Sequence, residues 1–334
     1  MDFIENGIRW IVAIQSIGAW PELPMRFFTF LGSENFFFLI LPLVYWSIDA
    51  TVGLQVAFVL VTSNAVNSIF KVVFAAPRPF WVSSDVRAMS VETSFGVPSG
   101  HAQNAIAMWG IMAHGFGKHW TRHWAKRWAW VIAILLTLFI GLSRLYLGMH
   151  FIQDVLAGWL IGGLLLLAFV LLWNPVSAWI LKRSLMQQIG LAFVMSLIII
   201  SLGAWNVDHL SGYVISQEWM DNAVRSGAAP DPISMENFLT SAGSFFGIAA
   251  GAAWIASRGG FQTAGPVEKR ALRYVIGLIG ILILWMGLGA VFPRDPNLVS
   301  YVLRYFRYSL VGLWVMAGAP WLFFHFKLAK KPNM

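Results

Sequence analysis

Eight residues in three short stretches have the types and spacings that chemistry needs. The first stretch, KVVFAAPRP, contains Lys71 and Arg78, with six residues between them. The second, VPSGH, places Ser99, Gly100 and His101 in succession. The third, LSRLYLGMHFIQD at 142–154, holds Arg144, His150 and Asp154. On a helix beginning near Met149, His150 and Asp154 share a face at i and i+4. Asp154 then accepts the proton on one ring nitrogen of His150 and leaves the other bare and more basic, the logic of an oriented nucleophile or base. Ser99 stands where a side chain caps a helix, and Gly100 permits close backbone approach, so free amides there face any anion present. Three cations, Lys71, Arg78 and Arg144, together with those amides suit a dianionic phosphate, whose oxygens take several charge-assisted hydrogen bonds at once.

Each piece also has a plainer reading. Lys71 could snorkel to headgroups and Arg78 bind a lipid phosphate. The His150–Asp154 pair could simply close a helix terminus. A metal on His101, His150 and Asp154 is the third alternative, but no further carboxylate or histidine stands at ligand spacing, so no metal and no cofactor is expected.

In combination the three stretches resemble the type 2 phosphatidic acid phosphatase superfamily, which shares its site with the vanadium haloperoxidases. The resemblance covers roughly residues 27–173. It implies a helical bundle and metal-independent phosphomonoester hydrolysis in two steps. Lys71, Arg78 and Arg144 would clamp the phosphoryl oxygens with Ser99 and the amides near Gly100. His150, oriented by Asp154, would form a phosphohistidine, and His101 would serve as the acid and then the base. RPFW at 78–81, ETSFGVPSGHA at 92–102 and LSRLYLGMHF at 142–151 are also similar to the glucose-6-phosphatase branch.

The elements that position these residues belong to a membrane protein. Of 334 residues, 58% are hydrophobic and 11% charged, whereas a soluble domain carries about a quarter charged residues. Mean hydropathy is +0.68. Apolar runs of the roughly 20 residues that a bilayer requires recur along the chain. The expectation is an all-α, multi-pass bundle of about nine spans. They fall near 27–47, 51–74, 99–117, 128–147, 150–173, 187–205, 237–256, 274–292 and 308–325. Residues 1–26 read as an interfacial segment rather than a signal peptide, 27–175 as a catalytic core, and 176–334 as a transmembrane extension with a polar outer loop at 206–236.

The net charge of +8 is explained by orientation rather than by nucleic acid. Basic clusters at Lys118–Arg127, Lys182–Arg183, Arg258–Arg273 and Lys327–Lys331 fall in alternate loops, which places them in the cytoplasm. Trp109, Trp120, Trp124, Trp128 and Trp130 frame the first cluster as an aromatic belt. The N-terminus then lies outside, the C-terminus inside, and the three motifs share the outer face. Arg304 and Arg307 also fall outside, against the charge bias, as headgroup contacts first and as an aid to substrate binding second. Asn64, Asn67 and Lys71 form a polar stripe on the second span, the 206–236 loop is read as a cap, and SFFGIAAGAAW at 244–254 suits close helix packing.

The substrate expected first is a lipid phosphate entering from the bilayer, and second a sugar phosphate from water. Membrane lipids are the other partners. The host is expected to be a cell (inner) membrane, because Lys330 and Lys331 stand one place too early for a dilysine retention signal. The chain has no cysteine, which excludes a disulfide framework and a thiol nucleophile. A transporter is the alternative of another class, although its charged groups would sit near the bilayer midplane in repeated halves.

Overall fold

The computed structural model describes residues 2–119 and 121–330, so Trp120 and Lys331 lie outside the described residues. All regular structure among those residues is helical. Six helical segments are long and apolar enough to cross a membrane: Ala50–Val82, His123–Tyr146, Ile152–Leu181, Leu185–His209, Glu236–Ala256 and Val267–Val291. Counting the pair Glu22–Leu31 and Glu34–Ile48, bent by 52°, as one span makes up to 7. The two other expected spans are helical but interrupted by π-turns. One runs through Gly100–Asn104, Ala105–Trp109 and Gly110–His119. The other runs through Leu298–Leu313, Trp314–Gly318 and Ala319–His325.

The chain forms two compact units. The first comprises Met1–Phe37, Val66–Leu167 and Ala204–Ser234, and all eight residues singled out by type and spacing belong to it. Its apolar core gathers Phe80, Trp81, Phe95, Tyr146, Met149 and Phe151, with Ile11 from the N-terminal helix and Ala223 from the late segment. The N-terminal helix, Asp2–Gln15, is held at its end by Gln15. That side chain donates to the Arg87 carbonyl at 2.8 Å and the Tyr146 carbonyl at 3.0 Å, and accepts from the Arg87 amide at 3.0 Å. In the late segment, Ser216 caps the helix Gln217–Arg225, and Asn222 Nδ2 donates to the Trp81 carbonyl at 2.9 Å.

Between apolar helices there is little hydrophobic drive to associate, so close backbone approach through small residues takes its place. Gly158 and Gly162 provide it in the helix Ile152–Leu181. A Cβ at Gly158 would stand 2.6 Å from the Ser99 carbonyl oxygen, and one at Gly162 would collide with Ile106 and the Gln103 carbonyl. This contact seats the start of the Gly100 helix beside the first turn of the Ile152 helix.

In the second unit, Phe38–Ala65, Ala168–Gly203 and Met235–Met334, the same device recurs. Gly243, Gly247 and Gly251 of Glu236–Ala256 face Tyr305, Ser309 and Leu313 of Leu298–Leu313. The unit is also tied by Trp46 Nε1, which donates to the Val315 carbonyl at 2.9 Å, and by Arg273, buried among the carbonyls of Trp46, Thr263 and Ala264.

Gly158 and Gly163 separate packing from helix propensity, because a Cβ at Gly163 would meet only Ile106 Cδ1 at 3.8 Å. Gly158→Val is expected to destabilise the protein by about 1–3 kcal/mol through overpacking, while Gly163→Val leaves the unfolding midpoint in detergent nearly unchanged. Equal losses for the two variants would rule out the close-approach account.

Candidate active site

The helix Ala50–Phe74 ends where Ala75 enters the left-handed region at φ 43°, and the chain turns towards Arg78. Pro79 then opens the short helical turn Pro79–Val82, where its missing amide costs nothing. Near the end of the long helix, Asn67 Nδ2 donates to the Pro98 carbonyl at 3.3 Å and to Gln103 Oε1 at 2.9 Å, so the polar stripe faces the Ser99 loop. Lys71, one turn later, donates from Nζ to Ser94 Oγ at 3.1 Å and to the Phe95 carbonyl.

His150 does not begin a helix. The helix starts at Ile152, and the i, i+4 face expected for His150 and Asp154 is replaced by an N-terminal capping arrangement. Asp154, in the first turn, reaches back so that its Oδ2 accepts the Phe151 amide at 2.9 Å. The same Oδ2 lies 3.3 Å from His150 Nδ1, while Arg78 Nη1 lies 3.3 Å from His150 Nε2. A carboxylate only accepts and a guanidinium only donates. Both neighbours therefore select the same tautomer, with the proton on Nδ1 and the lone pair of Nε2 turned towards Arg78.

Ser99 differs from the sequence expectation as well. It occupies the cap position before Gly100–Asn104, but its side chain makes no capping bond, and its buried Oγ has no partner. Its amide instead donates to the Asp154 carbonyl at 2.9 Å, tying the loop to the Asp154 turn. Asp154 Oδ1 is likewise buried without a partner. Gly96 permits this approach, since a Cβ there would meet the Pro77 carbonyl at 2.7 Å and Asp154 Oδ2 at 3.2 Å.

The remaining cations are joined by a residue that spacing alone had not singled out. Glu92 Oε1 accepts from Arg144 Nη2 at 2.8 Å, and its Oε2 lies 3.4 Å from Arg78 Nη2. Both guanidiniums are 1% exposed, and burying a charge is costly unless it is paired. Burial alone would raise the Glu92 carboxyl pKa, but Arg78, Arg144, His101 and Lys71 together hold it well below the usual carboxylate range. Arg144 also donates from Nη1 to Thr29 Oγ1 at 2.7 Å, and Arg78 from Nε to the Ser94 carbonyl at 2.6 Å and from Nη1 to the Met149 carbonyl at 3.0 Å. His101 has Arg144, Glu92, Arg78 and Lys71 as its charged neighbours. Gly100 lies against Asn67, whose Oδ1 would be 3.1 Å from an added Cβ.

Thus the first unit gathers His150, Asp154, Arg78, Lys71 and Arg144 through direct contacts or through one shared partner, with Ser99 joined through its backbone. Glu92, Ser94 and Thr29 are additions. Among the described residues, no cluster of three or more His, Asp and Glu side chains is placed to hold a metal ion. Two buried groups able to donate, Ser99 Oγ and Arg144 Nε, have no partner here, and with three cations they stand in the same unit as the imidazole lone pair, a set of groups suited to a small anion.

Known proteins with the same sequence pattern match on both sides of the chain. Residues 52–178 match the PAP2 superfamily model, and residues 239–331 match the model for the PAP2 superfamily phosphatase transmembrane extension. The chain is 28% identical to glucose-6-phosphatase 3 of Bos taurus, over 98% of this chain and 96% of that protein. It is 30% identical to phosphatidylglycerophosphatase B of Bacillus subtilis (strain 168), over 44% of this chain and 72% of that one. A crystal structure of a transmembrane PAP2-type phosphatidylglycerolphosphate phosphatase from Bacillus subtilis matches 49% of this chain and 82% of its own, at 27% identity and a TM-score of 0.43. With both family models matched, the chain belongs to the PAP2 superfamily as a multi-pass membrane phosphatase with the transmembrane extension, homologous to glucose-6-phosphatases and lipid phosphatases.

Proposed function

We propose that the chain hydrolyses a phosphomonoester, first of all a lipid phosphate, at the outer or lumenal face through a phosphohistidine on His150. The observation that carries this reading is the shared tautomer preference at His150, which turns the Nε2 lone pair towards the cationic clamp. Nε2 attacks phosphorus, and the bond from phosphorus to the leaving oxygen breaks. His101, protonated, gives its proton to that oxygen. Neutral His101 then takes a proton from the water that cleaves the phosphohistidine, releasing inorganic phosphate and restoring both imidazoles. Lys71, Arg78 and Arg144 stabilise the equatorial oxygens with the Ser99 hydroxyl and the amides following Gly100, which is most of what phosphoryl transfer asks of a protein.

In this reading Glu92 is the resident counter-ion of the clamp. It holds Arg78 and Arg144 in place, and the incoming phosphate takes over part of its role. Residues 27–175 form the catalytic core and 176–334 the extension. The segments 100–119 and 298–325 complete nine spans, with the N-terminus outside, the C-terminus cytoplasmic and the host a cell (inner) membrane. The alternation of basic clusters along the sequence supports that orientation. The 206–236 loop acts as a cap, supported by bonds from its residues to the motif loop. The Asp231 amide donates to the Thr93 carbonyl at 3.0 Å, and Tyr213 packs on Phe95.

A second reading, hydrolysis of a soluble sugar phosphate, is favoured by one observation. The similarity to glucose-6-phosphatase 3 runs over 98% of the chain, extension included. Short-chain phosphatidate and glucose 6-phosphate offered in competition distinguish the two. Selective release from the lipid supports the first reading, and preference for the sugar phosphate replaces it with the second.

The histidine assignments have separate signatures. His150→Ala should lose at least about a thousandfold in turnover and fail to trap labelled phosphate on the protein. His101→Ala should lose about a hundredfold or more on alkyl phosphates and much less on aryl phosphates, whose leaving groups need no proton. Full activity of His150→Ala would end the nucleophile assignment.

For Glu92→Gln, the loss of a charged partner shared by two buried cations is expected to cost roughly 1–3 kcal/mol in phosphate-free buffer. Added inorganic phosphate should raise the unfolding midpoint of this variant more than that of the wild type, because the anion replaces the lost carboxylate. Equal protection of both proteins would show that Glu92 is not the counter-ion of the anion site.

A further inference from the structure

The second unit contains a cavity of about 590 Å³, framed by Arg294, Arg304 and Arg307, with Ser300, Trp285 and Tyr301 in its wall. Its volume lies in the range of small-ligand sites. The three arginines are not equivalent. Arg304 is paired with Glu236 and donates to Thr240 Oγ1 at 3.3 Å. Arg294 makes one bond, to the Gly289 carbonyl at 3.3 Å. Among the described residues, neither Arg294 nor Arg307 has an ion-pair partner. Arg307 lies 4.9 Å from the Tyr308 ring centroid, and its Nε is buried with no hydrogen-bond partner. Ser300 Oγ, in the same wall, is also buried without a partner.

A buried donor without an acceptor costs about 1–3 kcal/mol. Ser300 Oγ together with the guanidiniums of Arg294 and Arg307, the latter with its Nε unpartnered, calls for an anion with several acceptor oxygens. Arginine meets a phosphate through paired N–H bonds better than it meets a halide or a neutral group. The aromatic and apolar remainder of the wall, Trp285 with Met286 and Phe292, suits a ligand that is not all charge. We propose that this cavity binds a phosphate ester, with its anion on Arg307 and Arg294 and its organic part against Trp285 and Tyr301. Such a site is separate from the hydrolytic residues, and its ligand is bound rather than cleaved, because no histidine lines it and its two carboxylates, Glu236 and Asp295, have no imidazole to orient as Asp154 has His150.

The ester could reach the cavity as a lipid headgroup or as a soluble compound, and two diester probes distinguish the sources. Purified protein is titrated with dioleoyl phosphatidylglycerol, with dioleoyl phosphatidylcholine as the zwitterionic control, and separately with glycerophosphoglycerol, the free headgroup. Binding is read by native mass spectrometry. Arg307→Met is expected to weaken the anionic probe at least tenfold while leaving the unfolding midpoint in ligand-free detergent within a few degrees of wild type. Gly289→Ala keeps every charge but places its methyl 2.5 Å from Arg307 Nη1, displacing the guanidinium, and should weaken binding in the same direction. It carries the test alone if Arg307→Met does not fold. Arg307-dependent binding of the lipid only identifies a headgroup site, and equal Arg307-dependent binding of glycerophosphoglycerol identifies a site for soluble esters. Binding of both anionic probes unaltered by either substitution, or no preference for phosphatidylglycerol over phosphatidylcholine together with no glycerophosphoglycerol binding, overturns the proposal.

Discussion

Positive charge that is buried must be paired, and the first unit is organised around that requirement. Arg78 and Arg144 come from different helical segments, and each is almost wholly removed from solvent. Left alone, each would carry an uncompensated desolvation penalty of several kcal/mol. Glu92 bridges them, Ser94 accepts from both Arg78 and Lys71, and backbone carbonyls of Ser94, Phe95 and Met149 take further donors of those two, while Arg144 Nε is buried without a partner. The motif loop is therefore held by the cations it serves. Its path from Glu92 to Ser99 follows from where acceptors must stand.

This dependence explains which residues were legible in the sequence. In a chain with 11% charged residues, Lys71, Arg78, Arg144 and Asp154 are conspicuous because a membrane segment gives a charge little reason to be there. Glu92 sits in a polar loop, where a carboxylate is unremarkable. A signal was nevertheless present, since Glu92 is the sole acidic residue between Asp85 and Asp154. Three cations drawn to one place needed a counter-charge, and few residues could supply it. Thr29 had no comparable signal, because it meets Arg144 across 115 positions of sequence. Ser99 was read correctly by position and wrongly by bond, since propensity places serine at a cap without saying what its hydroxyl does.

Helix boundaries show the same limit. The long apolar runs became helices close to the expected places, because hydropathy and length together leave few alternatives in a bilayer. The segments at 100–119 and 298–325 carry His101, Gln103, Asn104, Arg304 and Arg307, and each contains a π-turn. Such turns often mark functional sites, and sequence periodicity does not reveal them. The error at His150 has another cause. The i, i+4 spacing of His150 and Asp154 fits a helix, but it also fits a carboxylate turning back to cap the helix behind it. Only the second arrangement leaves the imidazole outside the helical hydrogen-bond ladder.

That difference matters chemically. A histidine within a helix has its ring direction limited by the preceding turn, whereas His150 is fixed by groups on both sides of the ring. Asp154 Oδ2 is itself anchored by the Phe151 amide, so the His150 ring is oriented by a carboxylate that cannot easily rotate away. For the nucleophile proposed above, pre-positioning of this kind would lower the entropy lost on reaching an attack geometry. It also links the two glycine contacts to the chemistry. Gly96 and Gly158 let the loop and helix close around Asp154 and Ser99, and a side chain at either place would move the carboxylate or the serine before it touched the histidine.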